Sequence, residues 1–201
     1  MTRDVVHPIE QESFAILRSR IDLSHLPPLT RAVVERVVHS SADLSYVGDL
    51  VTDEQALRRG RRALAAGARV VADVQMVAAG ITTVDALCRV REAVAVDGLT
   101  RSAVAVRMAF DEVGPGAIWV VGCAPTALFE ILALGVDPAL VIGLPVGFVG
   151  AAESKAALRA SGLPAVSNIS EKGGSAVASA ALNALLYAPD DRTSEAPEET
   201  P

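Results

Sequence analysis

Aromatic side chains are scarce in this chain: four Phe, two Tyr and one Trp among 201 residues. A core built on stacked rings is excluded, and the apolar fraction, 51%, rests instead on Ala, Val and Leu, the residues of closely packed helix and strand surfaces. Cysteine is equally sparse. Cys88 and Cys123 alone make neither a disulfide framework nor a zinc cluster. Unbroken apolar runs are missing too, since the long uncharged stretch from Val113 to Phe129 is interrupted by Gly114, Pro115, Gly116, Gly122 and Pro125 and is no continuous membrane span. The opening residues "MTRDVVHPIE" lack the apolar centre of a secretory leader. A soluble protein of a reducing cytoplasm is the expectation. A net charge of −6 without a basic block argues against DNA or RNA as partners. The local cluster Arg58, Arg59, Arg61 and Arg62 reads as a solvated helix face, with a polyanion site as the lesser alternative.

Motifs of the commonest chemistries are absent as well. No G-x-G-x-x-G follows a strand and no G-x-x-x-x-G-K-[ST] occurs, so dinucleotide and triphosphate sites lack sequence support. No Cys, His and carboxylate grouping has metal-ligand spacing. A Ser–His–Asp triad using Asp43 or Asp73 lacks the G-x-S-x-G elbow that would expose its nucleophile.

What is present is rhythm. "EQESFAILRSRI" puts Phe14, Leu17 and Ile21 at helical spacing, and "PPLTRAVVERVVH" opens on prolines with Thr30 as N-cap, so two helices begin the chain. "TDEQALRRGRRALAAG" is a third helix, with Thr52 and Gln55 in capping-box spacing, Gly60 inside and Gly67 at its end. Short aliphatic runs then alternate with helices: "RVVADV" and "VQMVAAG", "AIWVV" and "PTALFEILALG", "ALVIG" and "AAESKAALRASG", "PAVSNI" and "GGSAVASAALNALLY". Continuous apolar strands joined by helical crossovers specify a three-layer α/β/α, Rossmann-like architecture with a mainly parallel sheet. Length favours one domain over residues 1–188. The acidic "PDDRTSEAPEETP" end, residues 189–201, offers too little apolar surface to order itself.

Ligands of open parallel sheets bind beyond the carboxyl ends of the strands. The loops expected there, "GCAPT" at 122–126, "GLPVGFVG" at 143–150 and "SNISEKGGS" at 167–175, are rich in glycine and small residues, and the helices behind Pro125, Gly150 and Gly174 turn N–H groups toward an anion or carbonyl. His39 stands out among three histidines. In "RVVHSSAD" it falls in the last turn of the second helix, where the carbonyl end of the dipole attracts a cation, one turn after the like charge of Arg36. The plain alternative is a histidine that merely satisfies the last carbonyls. His7 and His25, beside prolines in connecting segments, carry less interest.

These stretches together resemble the precorrin-8X methylmutase family of cobalamin biosynthesis, including its cobalt-precorrin-8 counterpart. The resemblance runs in order through "HPIEQESFAILR", "RVVHSSAD", "ADVQMVAAGI", "LTRSAVA", "VGCAPTAL", "GLPVGFVGAAESK" and "KGGSAVASAALNAL". It implies an isomerase that moves a methyl group from C-11 to C-12 of a corrinoid macrocycle, giving hydrogenobyrinate, with no cofactor. It implies His39 as the catalytic acid, substrate contacts at Ser13, Arg36 and Arg101, and a homodimer with sites at or near the subunit interface. The departures from the family pattern are Cys123, where relatives carry an amide, and Lys172, where an arginine is common. A corrinoid carrier with little turnover and an unrelated nucleotide-using enzyme are the competing readings.

Overall fold

The structure is a computed structural model and describes residues 7–96 and 98–188. Residues 189–201, the expected acidic tail, lie outside it. Two helices open the described chain, α1 (Pro8–Arg20) and α2 (Pro28–Ser41), followed by the single turn α3 (Tyr46–Asp49) and the short strand β1 (Leu50–Thr52). Next come α4 (Glu54–Ala65), β2 (Val70–Ala72), α5 (Gln75–Gly80) and β3 (Ala86–Leu87). The second half alternates regularly: α6 (Arg101–Val113), β4 (Ile118–Val121), α7 (Pro125–Leu134), β5 (Leu140–Gly143), α8 (Ala151–Ala160), β6 (Ala165–Asn168) and α9 (Ser175–Tyr187).

The strands form one sheet in the order β1-β6-β5-β4-β2-β3. All pairings are parallel except the edge, where β1 runs antiparallel to β6 with Leu50 opposite Asn168. The expected α/β/α architecture is therefore present. Every residue of β2, β4 and β5 is buried, as strands covered on both faces must be. Alternate residues serve the two faces. Val70, Ala72, Ile118, Val120, Leu140 and Ile142 point into a layer made by α2, α4, α5 and α9. Val71, Trp119, Val121 and Val141 meet α6, α7 and α8 on the other side. The scarcity of aromatics has its counterpart here: Trp119 on one face of the sheet and Tyr46 on the other are the buried rings of the described core, which is otherwise filled mainly by aliphatic side chains.

Two local readings of the sequence need correction. The N-cap of α2 is Pro27 and not Thr30, whose hydroxyl lies within the first turn and donates to Glu54 Oε2 at 3.0 Å. The cap of α4 is Asp53, whose carboxylate accepts the Ala56 N–H at 2.8 Å, so no capping box forms on Thr52. Thr52 is drawn instead into β1, because its backbone pairs with Val166 of the sheet. The helix α6, the antiparallel β1 and the two-residue β3 are additions to the elements expected from the sequence.

Gly60 in the middle of α4 is explained by packing. A Cβ there would sit 2.5 Å from Leu140 Cδ2, so its absence lets α4 lie directly on β5.

Candidate active site

The helix α2 ends at Ala42, which takes a left-handed conformation, φ 53°, and stops further winding. The hydroxyls of Ser40 and Ser41 fold back on the last turn and donate to the Val37 carbonyl at 3.0 and 2.9 Å. Those serines thus serve the terminal carbonyls, and His39 is released from that task. Its imidazole faces α1. Ser13 Oγ lies 2.9 Å from His39 Nδ1, and the Phe14 ring stacks on the imidazole with centroids 4.7 Å apart and planes 14° from parallel. One face and one nitrogen of the ring are held, and Nε2 is the ring nitrogen without a protein partner among the described residues.

Arg36, one turn back, is the second organiser. Its guanidinium pairs with Glu10 at 3.0 Å and lies over both Phe14, at 5.3 Å, and Tyr187, at 4.7 Å. The segments α1, α2 and the end of α9 are thereby tied together through one cation. Two hollows flank it. The first, of about 510 Å³, is lined by Arg36 and His39 from α2, Met76 and Gly80 from α5, and Ser175, Ser179 and Asn183 from α9. The second, of about 390 Å³, lies between α1, α2 and the last turn of α9, and is lined by Arg36, Phe14 and Tyr187 among others. The first opens above the amino-terminal half of α9, which follows β6, and so lies on the carboxyl side of the sheet where the topology placed a ligand.

Of the expected contact residues, Ser13 and Arg36 join His39. Arg101 does not: it is exposed in the first turn of α6, on the opposite face of the sheet, and lines neither hollow. The expected anion-binding loops also divide. At "GCAPT" the backbone donors are already taken, because the buried Asp73 carboxylate accepts the N–H groups of Gly122, Cys123 and Ala124 at 3.1, 2.8 and 2.8 Å. Burial pushes this carboxyl above its ordinary value, against the pull of those donors in the other direction. Cys123 is half-buried there, its thiol raised first by burial and then by Asp73.

At "SNISEKGGS" the loop is fastened from beneath. Lys155, fully buried, donates from Nζ to Asn168 Oδ1 at 2.8 Å, to the Lys172 carbonyl at 2.6 Å and to the Ser170 carbonyl. Asp49 accepts the N–H groups of Ile169 and Ser170 at 3.0 and 2.8 Å. Lys172 itself reaches Asp43 at 2.6 Å. A single network therefore runs from α8 through this loop to the residues just past His39, and it aims the start of α9 at the hollow. The two aspartates weighed for a triad are occupied here and at Asp73, and no carboxylate bonds His39 among the described residues. Nor do those residues contain a group of three or more His, Cys, Asp or Glu able to hold a metal ion.

Phe14, Tyr187, Met76 and Asn183 were not singled out by sequence reasoning. Phe14 adjoins Ser13 in a quoted motif, yet its spacing with Leu17 marks it equally as core. Tyr187 sits at the far end of α9, where nothing in the sequence signals its meeting with Arg36.

Comparison with known proteins gives the site its context. The family model described as precorrin-8X methylmutase matches residues 8–188. The cobalt-precorrin-8 methylmutase of Salmonella typhimurium is 40% identical over 196 residues, covering 89% of this chain and 93% of that protein. The precorrin-8X methylmutase of Pseudomonas aeruginosa is 41% identical over 194 residues, with 88% and 93% covered. The crystal structure of the precorrin-8X methylmutase from Thermus thermophilus superposes with a TM-score of 0.79 at 33% identity, over 89% of this chain and 93% of that one. With a match from end to end of the described chain and a shared fold, this protein belongs to the precorrin-8X methylmutase family.

Proposed function

We propose that this chain is an isomerase of cobalamin biosynthesis that moves a methyl group from C-11 to C-12 of precorrin-8X, with His39 as the acid. The observation that carries this reading is the Ser13–His39–Phe14 arrangement. Ser13 engages Nδ1 and Phe14 covers one face, so the imidazole is held with Nε2 as the nitrogen left for a ligand in the hollow it lines. A 1,5-sigmatropic shift needs no external nucleophile. Protonation at one edge of the conjugated ring biases the π system, and rigid placement of the macrocycle does the rest.

The substrate's carboxylate arms suit the surroundings. Arg36 already carries Glu10, so an incoming carboxylate shares or displaces that partner, and the neighbouring hollow offers Arg18, itself bonded to Glu35 at 3.0 and 2.7 Å. The same family supplies the cobalt-loaded reading, in which cobalt-precorrin-8 is the substrate.

A homodimer completes the proposal. Phe148 and Val149 are 98% and 89% exposed, and their loop adjoins the one that leads into α9, with Gly147 N–H bonded to the Glu171 carbonyl. Apolar side chains so placed suit cover by a second copy. Arg101, remote from His39 within one chain, is then free to serve substrate held between copies. No helix among the described residues is long and apolar enough to cross a membrane, and the sparse, unpaired cysteines support our reading of a cytoplasmic location.

Single-turnover absorbance with precorrin-8X tests the assignment. His39→Ala should keep the fold and bind substrate while methyl migration slows by about 10²- to 10⁴-fold, the range of general acid catalysis. Near-normal conversion by that variant would remove His39 from the chemistry.

A further inference from the structure

The largest of the described hollows lies away from His39. It has a volume of about 580 Å³ and sits at the outer edge of the sheet, around β1, between α4 of one layer and α8 of the other. Its lining includes three arginines, Arg59 and Arg62 from α4 and Arg159 from α8, and one acidic residue, Asp53. Asp53 is committed to capping α4. The spacing of Arg59 and Arg62, one turn of helix apart, puts both on one face of α4, and Arg159 comes from a separate element. The local charge is positive on a protein whose net charge is −6.

The partners of these cations are unequal. Arg159 donates to the Asn168 carbonyl at 2.6 Å and to Ser167 Oγ at 3.3 Å, which fixes its position. Arg59 meets the exposed Asp137 only at 3.7 Å and the Pro138 carbonyl at 3.3 Å. Arg62 has neither a carboxylate nor a hydrogen-bond partner among the described residues, although it lines the hollow. A second, independent observation falls in the same place. Thr52, also in the lining, carries the one buried side-chain oxygen of the described residues that lacks a hydrogen-bond partner. A buried hydroxyl is ordinarily satisfied, and a turn about χ1 would let this one donate to an acceptor in the hollow.

We propose that this hollow is a second ligand site, which takes a small multivalent oxyanion on Arg62, Arg159 and Thr52. Guanidinium forks suit the paired oxygens of phosphate esters and of polycarboxylates alike, so the shared chemistry is the oxyanion. The site is separate from the His39 hollow, with which it has no lining residue in common.

Calorimetric titration of the full chain at low ionic strength, with pyrophosphate in one arm and citrate in the other, tests this. One saturable site for at least one probe is expected. Binding by pyrophosphate alone assigns phosphate esters, and binding by citrate alone assigns polycarboxylates. Arg62→Gln should weaken binding about tenfold, the usual loss for a charge-assisted bond, while keeping the wild-type melting temperature because Arg62 holds no structural contact. Arg62→Lys should retain most of the affinity and Thr52→Val should reduce it. Arg36→Gln, in the other hollow, should leave it unchanged. Absence of saturable binding by either probe, an Arg62→Gln variant that binds as tightly as the wild type, or an equal loss in Arg36→Gln would each overturn the proposal.

Discussion

Replacing Lys155 by methionine isolates the network beneath the loop that leads into α9. Methionine keeps the length and apolar character of the stem and removes only the ammonium. Three hydrogen bonds disappear, but their loss is uneven. The carbonyls of Ser170 and Lys172 retain the Asn168 side-chain amide as donor, at 3.3 and 2.9 Å. Asn168 Oδ1, buried, has Lys155 as its one donor among the described residues and would be left unsatisfied, at a cost of about 1–3 kcal/mol. Weaker bonds at the two carbonyls add to this. Relief of a buried cation opposes it, since burial holds the Lys155 amine down at about 8. The net expectation is a loss of about 2 kcal/mol near neutral pH, or a melting temperature roughly 4–8 °C lower for a chain of this size.

The pH dependence has a definite sign. Between about 8 and the ordinary lysine value of 10.5 the folded protein has released the Lys155 proton while the unfolded chain still holds it. Unfolding then takes up a proton, so this group's contribution to stability rises with pH across that window and is lost as pH falls through about 8. The variant lacks the contribution. Urea unfolding of both proteins at pH 7.5, 8.5 and 9.5 should therefore show a gap that widens with pH. Equal stability at pH 7.5, or a gap that narrows on going to pH 9.5, would refute the reasoning.

Other outcomes can be checked alongside. Ser13→Ala should lower turnover about five- to tenfold with little change in KM, by loosening the imidazole through loss of one hydrogen bond worth about 1 kcal/mol, and Ser13→Thr should restore most of it. Asp43, bonded by Lys172 and Ser45, is lowered to about 2. An NMR titration should find its midpoint there and a return toward the ordinary 3.8 in Lys172→Met, with stability changed little because the pair is solvated. Its contribution is present above 3.8 and disappears as pH falls through about 2. Gly60→Ala should destabilise despite a helix-propensity gain of about 1 kcal/mol. Overpacking against the fully buried Leu140 costs about 1–3 kcal/mol, and thermal unfolding should register a lower midpoint.

Much of the fold was legible in the residues themselves. Continuous apolar runs such as "AIWVV" and "ALVIG" can be satisfied only by strands covered on both faces, and helical spacing between them leaves a parallel sheet as the solution. The weaker elements were not legible. β3 has two residues and β1 three, and each exists because a neighbouring strand supplies its hydrogen bonds. The capping residues of α2 and α4 shifted by one to three positions for the same reason, since Glu54 and β6 compete for Thr30 and Thr52.

The site divides along similar lines. Local sequence determined that a histidine would stand at the end of α2, beside an arginine one turn earlier, because helical periodicity is a short-range property. Only the tertiary structure decided what that histidine meets. Ser13 and Phe14 lie 26 and 25 positions away from it, and Tyr187 lies 151 positions beyond Arg36, so their convergence depends on how α1, α2 and α9 pack. The same packing committed Asp73 to the "GCAPT" donors, left Arg101 on the far face and gathered Arg62 and Arg159 around Thr52. Contacts across such separations arise from the simultaneous burial of several faces, and no window along the chain contains them.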